Sequence, residues 1–222
     1  MIRVIIALLI TISTYTQAST DYHKVLNQFK TVCLEKVHLT CTSLLKGAAE
    51  TKLLLADTLK LMALNNEFST LYTSTYGEEA FLEFNDAFKF STSPIDLSDY
   101  TLKSKSNEQF TLKDAEGNTL TFDNTNNGWR LNVDKSLSGV LVKEAKQLVA
   151  YSIGAYLSLI TKIETSIPVE DAFKLGGRYF IVASYDYFDA EAQIKLDEIF
   201  KEKSIDAAKL RQDMLSFYKQ QD

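Results

Sequence analysis

Residues 101–133 have the sequence TLKSKSNEQFTLKDAEGNTLTFDNTNNGWRLNV, in which hydrophobic side chains repeatedly alternate with polar ones. A period of two places successive side chains on opposite faces of a strand. Glu116-Gly117-Asn118 and Asn126-Asn127-Gly128 interrupt the alternation, and Asn-Gly is a strong signal for a tight hairpin turn. The stretch therefore predicts an antiparallel meander of three or four strands. Its hydrophobic face is expected to include, in part, Leu102, Phe110, Leu112, Leu120, Phe122, Trp129, Leu131 and Val133.

Helical periodicity dominates the chain before this meander. It predicts helices over 21–39, over 43–65 and over 78–88, with Ser43 as the cap of the second and Asn65-Asn66 at its end. Pro94 lies in a Ser/Thr-rich stretch and is expected to keep residues 91–98 out of a helix. The predicted fold class is therefore α+β, mostly helical with one small antiparallel meander.

The chain after the meander is also predicted to be helical. Residues 137–163 are expected to form a central helix buried on most sides, because residues 148–160 are unusually hydrophobic. Pro168 suits the first turn of the next helix, which Gly176-Gly177 is expected to kink or break. The last two helices are predicted over 190–202 with Asp189 as cap and over 205–220 with Ser204 as cap.

The first eighteen residues have the features of a secretory signal peptide. Arg3 precedes a hydrophobic run from Val4 to Ile12, and small residues precede a candidate cleavage site after Ala18. The run is about half the length that a membrane-spanning helix needs. We therefore predict a secreted or periplasmic mature chain without a transmembrane segment. Its predicted organisation is 19–134 for helices plus sheet and 135–222 for a helical segment, or one domain over 19–222.

Composition narrows the class of protein further. The chain has 222 residues, 45% of them hydrophobic, which excludes wholesale disorder. Its formal net charge is −5, and this acidic balance argues against a protein that binds nucleic acid.

The two cysteines, Cys33 and Cys41, form a possible disulfide, since an even count is typical of an oxidising compartment. Eight residues of unbroken helix would separate their Cα atoms by about 12 Å, too far for a bond. Either the chain turns between Leu34 and Thr40, or the thiols stay free. Metal ligation by Cys33, His38 and Cys41 is an alternative that lacks a fourth ligand.

Signatures of catalysis and of cofactor binding are absent from the sequence. It contains no Gly-x-Ser-x-Gly elbow, no phosphate-binding Gly-rich loop and no His-Glu-x-x-His. Residues 123–134 partly imitate a calcium loop, although their flanks alternate like strands. Glu79, Glu83 and Asp86 share one helix face and are interpreted as a solvated surface. The sequence predicts no catalytic, cofactor-binding or metal-binding residues.

An aromatic group near residue 180 is the candidate site for a ligand or a partner. Tyr179, Phe180, Tyr185, Tyr187 and Phe188 follow one another closely, and Arg178 stands beside them. Tyrosine combines a hydrophobic ring with a polar tip, which suits binding surfaces. Arg178 could bind an anion there. Packing in a core is the alternative interpretation of these rings.

Residues 52–134 resemble bacterial secreted proteins with a nuclear-transport-factor-like, cystatin-like fold. The resemblance lies in a helix that ends in the stretch from Leu59 to Phe68, followed by a short helix after Tyr76-Gly77. It also includes Glu116-Gly117-Asn118 and Gly128-Trp129-Arg130-Leu131 in the meander. It implies helices packed into a curved antiparallel sheet around a cone-shaped pocket. The helical tail from residue 135 departs from that pattern, and no catalytic residue of the family can be transferred.

The predicted function is that of a secreted or periplasmic non-catalytic protein that binds a small hydrophobic ligand or an envelope protein partner. One alternative is a small secreted hydrolase or other enzyme with a pocket of carboxylates and tyrosines. It requires an Asp or Glu buried in a cleft beside a Tyr or Arg. Another is a secreted effector or surface interaction protein.

Overall fold

The computed structural model describes residues 22–35, 39–88, 97, 100–136 and 142–220. The predicted signal peptide and the predicted break at 91–98 lie outside these residues, apart from Leu97. The described helices are α1 (22–29), α2 (Ala49–Tyr76), α3 (Glu78–Phe88), α4 (Val133–Ser136), α5 (Val142–Glu164), α6 (Val169–Ser184), α7 (Ala190–Glu202) and α8 (Ala207–Lys219). The described strands are β1 (Leu45–Lys46), β2 (Thr101–Lys105), β3 (Gln109–Lys113), β4 (Thr119–Thr125) and β5 (Gly128–Asn132).

The chain divides into two compact units, and each is built from two stretches of sequence. The first unit takes its described residues from 1–56 and 95–139, and the second takes them from 57–94 and 140–222. The sheet belongs to the first unit, and α3 and α5–α8 belong to the second. None of the helices that the structure describes is long and hydrophobic enough to cross a membrane.

The sheet of the first unit has the strand order β1-β5-β4-β3-β2. Strands β2 to β5 pair antiparallel, whereas β1 pairs parallel with β5. The α+β class is confirmed, but a purely antiparallel meander of three or four strands was wrong in strand count and in the direction of one edge. The β1 strand is only two residues long, so no alternation in the sequence marks it.

Cross-strand packing on one face of the sheet supplies much of the core of the first unit. Phe110 lies opposite Phe122 with ring centroids 4.7 Å apart, and Phe29 of α1 meets Phe122 edge-on at 5.8 Å. Leu102 was expected on this face but is exposed. Val133 is buried as predicted, yet it lies in α4 rather than in a strand.

The first helical segment ends earlier than predicted. Residues 22–29 are α-helical, Lys30–Glu35 form a π-helical turn and Leu39–Leu44 form a 3-10 helix. The single helix over 21–39 was therefore wrong. Cys33 and Cys41 come within 4.9 Å between Cα atoms and form a disulfide, so that alternative is confirmed. The bond leaves neither thiol free to ligate a metal ion.

The second helix begins and ends later than predicted. Ser43 lies in the 3-10 helix, and the backbone N–H of Ala48 instead donates to the Asp134 carboxylate at 3.0 Å. Asn65-Asn66 does not end α2, because an interior Asn costs only a few tenths of a kcal/mol more than an average residue and Asn65 accepts a hydrogen bond from Tyr156 at 2.7 Å. The helix ends at Tyr76, because the next residue, Gly77, has a φ of +96° that is unfavourable for other residues.

In the second unit α6 and α8 pack against α5, whose residues 149–160 are largely buried. The prediction of a buried central helix is confirmed over 142–164, and residues 137–141 lie outside the described part. The α3 helix is confirmed over 78–88, and Asp189 caps α7 through the Ala192 N–H. The cap of α8 was wrong, because Asp206 and not Ser204 accepts from the Lys209 N–H.

Gly176 and Gly177 do not break α6. Both are buried in a continuous helix, and a Cβ atom added at Gly176 would lie 2.5 Å from the Phe84 ring. At Gly177 the corresponding distance to the Phe88 ring is 2.9 Å. The glycines therefore allow two aromatic rings of α3 to approach the α6 backbone, and this close packing explains why they are there.

Candidate functional site

The six residues of the aromatic candidate site do not form one cluster. Tyr179 and Phe180 are buried, and the Tyr179 hydroxyl is hydrogen-bonded to that of Ser158 at 2.8 Å. They belong to the core of the second unit. Arg178, Tyr185 and Tyr187 each line a different cavity, and Phe188 is exposed. All three cavities lie within the second unit.

The largest of these cavities lies beside α7 and α8, and we call it the α7–α8 groove. Its volume is about 490 Å³. Hydrophobic side chains and helix backbone make up most of its wall, and polar groups occupy one part of it. The lining residues are Tyr185, Asp197, Phe200, Ala207, Ala208, Arg211, Gln212 and Leu215.

Hydrogen bonds fix the polar groups of the α7–α8 groove. The Tyr185 hydroxyl donates to Asp197 Oδ1 at 2.8 Å, which raises the pKa of Tyr185. Arg211 Nη2 donates to Asp186 Oδ1 at 3.1 Å. The guanidinium carbon also lies 5.5 Å from the Tyr185 ring centre and 5.7 Å from that of Tyr151, within the range of cation–π attraction.

One donor of Arg211 is both buried and unpaired. Its Nε atom is buried and has no hydrogen-bond partner among the residues that the structure describes. An unsatisfied buried donor costs about 1–3 kcal/mol, more when it is charged. The guanidinium is thus held in place by Asp186 and by the two tyrosine rings at the wall of the groove.

A second groove lies on the other side of α7, between α3, α6 and α7, and we call it the α6–α7 groove. Its volume is about 280 Å³. Its surface is almost wholly hydrophobic. The lining residues are Phe88, Phe173, Lys174, Gly177, Arg178, Ile181, Leu196, Ile199, Phe200 and Ile205. Phe200, which is the buried residue of α7, lines both grooves.

The third cavity is more polar and is lined by residues of α5, of α6 and of the turn after α6. Its volume is about 270 Å³, and Glu144, Gln147, Asp186 and Tyr187 contribute polar groups. Burial, and then the negative charges of Glu144 and Asp186, raise the pKa of Tyr187. Asp186 is therefore shared between this cavity and the ion pair with Arg211.

The acidic residues considered for catalysis do not gather in a cleft. Glu79, Glu83 and Asp86 are exposed on α3. Asp123 is buried in the first unit, where Lys46 donates to it at 2.6 Å and Asn132 at 2.8 Å. Burial alone would raise the pKa of Asp123, but these hydrogen bonds and one from Gln109 lower it to about 2. Such a carboxylate is held ionised and serves to join strands.

The calcium-loop interpretation of 123–134 finds no support in this arrangement. Asp123, its first position, is engaged by Lys46, Gln109 and Asn132, and residues 126–127 form the hairpin turn between β4 and β5. Within the described ranges, no group of three or more His, Cys, Asp or Glu residues is arranged to hold a metal ion.

Arg211, Asp197 and Phe200 were not among the residues predicted from the sequence. Ala208, Arg211 and Leu215 recur at three- and four-residue spacing, which places an arginine on the same helix face as small and hydrophobic residues. That spacing is the signal that could have pointed to the α7–α8 groove.

Comparisons of the chain with protein families, with curated proteins and with solved structures found no match. The resemblance of residues 52–134 to nuclear-transport-factor-like proteins thus remains a prediction. The function has to be argued from the grooves themselves.

Proposed function

We propose that this protein is exported from the cytoplasm and binds a small hydrophobic ligand in the α7–α8 groove without transforming it. The features of residues 1–18 support export. The disulfide between Cys33 and Cys41 supports an oxidising compartment, because such bonds are rare where thiols are kept reduced.

The observation that carries the proposal is the combination of size and lining in the α7–α8 groove. Its volume of about 490 Å³ falls within the ~300–1,000 Å³ that is usual for ligand pockets. Such pockets typically combine hydrophobic walls with a few polar groups that orient the ligand. Here Phe200 and Leu215 offer the hydrophobic contact, and Tyr185 and Arg211 offer the orienting groups.

The polar groups favour binding over catalysis. The Tyr185 hydroxyl and the Asp197 carboxylate are bonded to each other, and Arg211 is bonded to Asp186. Asp197 is exposed on α7, and the Tyr185 hydroxyl occupies one of its carboxylate oxygens. The groups can orient a ligand's polar end while the rings and aliphatic side chains exclude water from its hydrophobic part.

The test uses N-phenylnaphthylamine, a neutral fluorophore whose emission rises in hydrophobic surroundings. It is titrated into the protein comprising residues 19–222. Ala208 is exposed on α8 and lines the groove, so Ala208→Trp fills the groove without replacing a core residue. Ala190→Trp is the matched control, because Ala190 is exposed on α7 and lines neither groove.

We expect fluorescence enhancement with the wild type and with Ala190→Trp, and at least tenfold weaker binding with Ala208→Trp, a loss of about 1.4 kcal/mol. Native mass spectrometry of the protein purified from its own host then identifies a ligand that denaturation releases. Equal binding by the two tryptophan variants, or no enhancement with the wild type, would contradict the proposal.

A further inference from the structure

The α6–α7 groove is distinct from the α7–α8 groove in its chemistry. Its walls are formed by rings and branched aliphatic side chains such as Phe173, Ile181 and Leu196. Gly177 contributes only backbone, against which the Phe88 ring lies. The groove offers a hydrophobic surface with few polar groups along its length.

The charged residues that line this groove are both basic. Lys174 and Arg178 lie four residues apart on α6, so they share one helix face and one edge of the groove. Both are exposed, and in the described part of the chain neither has a carboxylate within 4.0 Å. Some other cations of this acidic protein do have such a partner, for example Lys195 with Glu191 and Arg211 with Asp186.

We infer that the α6–α7 groove binds a free fatty acid anion of medium chain length. Its alkyl tail lies along Phe173, Ile181 and Leu196, and its carboxylate lies between Lys174 and Arg178. This inference goes beyond the proposed function, because it concerns another groove and an anionic class of ligand.

The chemistry of the basic edge and of the hydrophobic walls of the groove supports this ligand. Arginine presents a planar fork that matches a carboxylate, and lysine adds a second charge at the same edge. The hydrophobic walls exclude water from an alkyl chain, which accounts for most of the binding free energy. A volume of about 280 Å³ lies at the lower limit of ligand pockets and suits one chain rather than a two-chain lipid.

The experiment measures displacement of dansyl-labelled undecanoate from the protein comprising residues 19–222. The competitors are dodecanoate and dodecanol, which share the alkyl chain and differ in the charge of the head. Both are used below the concentration at which they aggregate. Dodecanoate is expected to displace the probe at about tenfold lower concentration than dodecanol, because only the carboxylate pairs with the two cations.

The variants Lys174→Gln and Arg178→Gln distinguish the contribution of the carboxylate to binding from that of the alkyl chain. Each is expected to weaken dodecanoate binding about two- to fivefold, since exposed ion pairs contribute modestly, and to leave dodecanol binding unchanged. Lys209→Gln is the matched control, because Lys209 is exposed on α8 and lines neither groove. A thermal melt of each variant checks that it folds.

Three outcomes would overturn the inference. Equal displacement of the probe by dodecanoate and dodecanol would show that Lys174 and Arg178 do not bind the carboxylate. Weakening of dodecanoate binding by Lys209→Gln to the same extent would show that only the net charge of the protein matters. Binding to phospholipid vesicles without binding of monomeric dodecanoate would make this face a membrane contact instead. Because Ala208→Trp blocks only the other groove, it is expected to keep dodecanoate binding, so the two proposals fail separately.

Discussion

A close approach between α5 and α8 in the second unit lies at Gly154, and Gly154→Ala tests it. A Cβ atom at this position of α5 would lie 2.0 Å from the Met214 carbonyl oxygen and 2.6 Å from its carbon in α8. Ordinary contact requires at least 3.4 Å, so the α8 backbone would have to move by 1.4 Å. Backbone within a packed helix cannot turn aside as a side chain can.

The magnitude follows from two opposing effects. Replacing an interior helical glycine by alanine normally stabilises by about 1 kcal/mol. Overpacking a core costs about 1–3 kcal/mol, and a backbone obstacle places this case at the upper end. The net loss is therefore about 2 kcal/mol in the free energy of unfolding, or about 4–8 °C in Tm for a chain of this length.

The assay is urea unfolding followed by far-ultraviolet circular dichroism, with the disulfide intact. Ser152→Ala is the matched control, since Ser152 is half-buried two residues earlier in α5 and gains only helix propensity. Trp129, the single tryptophan, lies in the first unit and reports that unit separately by fluorescence. A Gly154→Ala midpoint equal to or above that of the wild type would refute the close approach of α5 and α8.

Four further changes test the hydrogen bonds and the disulfide. The Tyr72 hydroxyl is buried without a described partner and burial raises its pKa to about 12, so Tyr72→Phe should stabilise by about 1 kcal/mol. Tyr179→Phe, which removes the hydrogen bond to Ser158, should instead destabilise by about 1 kcal/mol. Thermal melts in which Tyr72→Phe and Tyr179→Phe shift Tm in the same direction would contradict this pair of expectations. Because Asp123 has a lowered pKa in the folded protein, its ionisation stabilises above about pH 4 and this contribution is lost as the pH falls towards 2. Asp123→Asn should thus lower the free energy of unfolding by about 1–2 kcal/mol at pH 7, after allowance for solvent screening at the exposed Lys46. The loss, measured by Trp129 fluorescence, should be smaller near pH 2, and a loss that does not change with pH would refute this reasoning. Reduction of Cys33–Cys41, which are eight residues apart, should cost about 2.5 kcal/mol by loop entropy, and an unchanged urea midpoint under reductant would argue against it.

The sequence predicted correctly those elements whose structure depends only on neighbouring residues. The hairpin turns at residues 116–118 and 126–128, the span of α3 and the Asp189 cap depend on neighbouring residues alone. The sequence was insufficient where distant residues decide. Asn65 remains helical while it accepts a hydrogen bond from Tyr156, ninety-one residues away. The β1 strand forms against β5, and nothing within its own two residues indicates it.

The candidate site was predicted only in part, for a similar reason. The stretch 178–188 does border all three cavities, but helical rotation turns Tyr179 and Phe180 inward and separates Arg178 from Tyr185. The other walls come from α7 and α8, which periodicity predicted as helices without saying which residues would face α6. The aromatic residues that are close in sequence therefore indicated which stretch of the chain borders the cavities, but not which residues line the α7–α8 groove.

Two glycines mark places where helices of the second unit pack closely near the grooves. Gly154 and Gly176 remove side chains where α5 meets α8 and where α6 meets α3, so these helices pack at close range. On α7, by contrast, Phe200 is the buried residue, and Ile194 and Ile199 are exposed by 61% and 47%. A ligand can cover this exposed hydrophobic surface, and its binding would stabilise the folded protein by an amount that grows with the logarithm of the free ligand concentration above Kd. Since Phe200 lines both grooves, a ligand that moves its ring in one groove changes the wall of the other, and any such coupling must act equally in both directions.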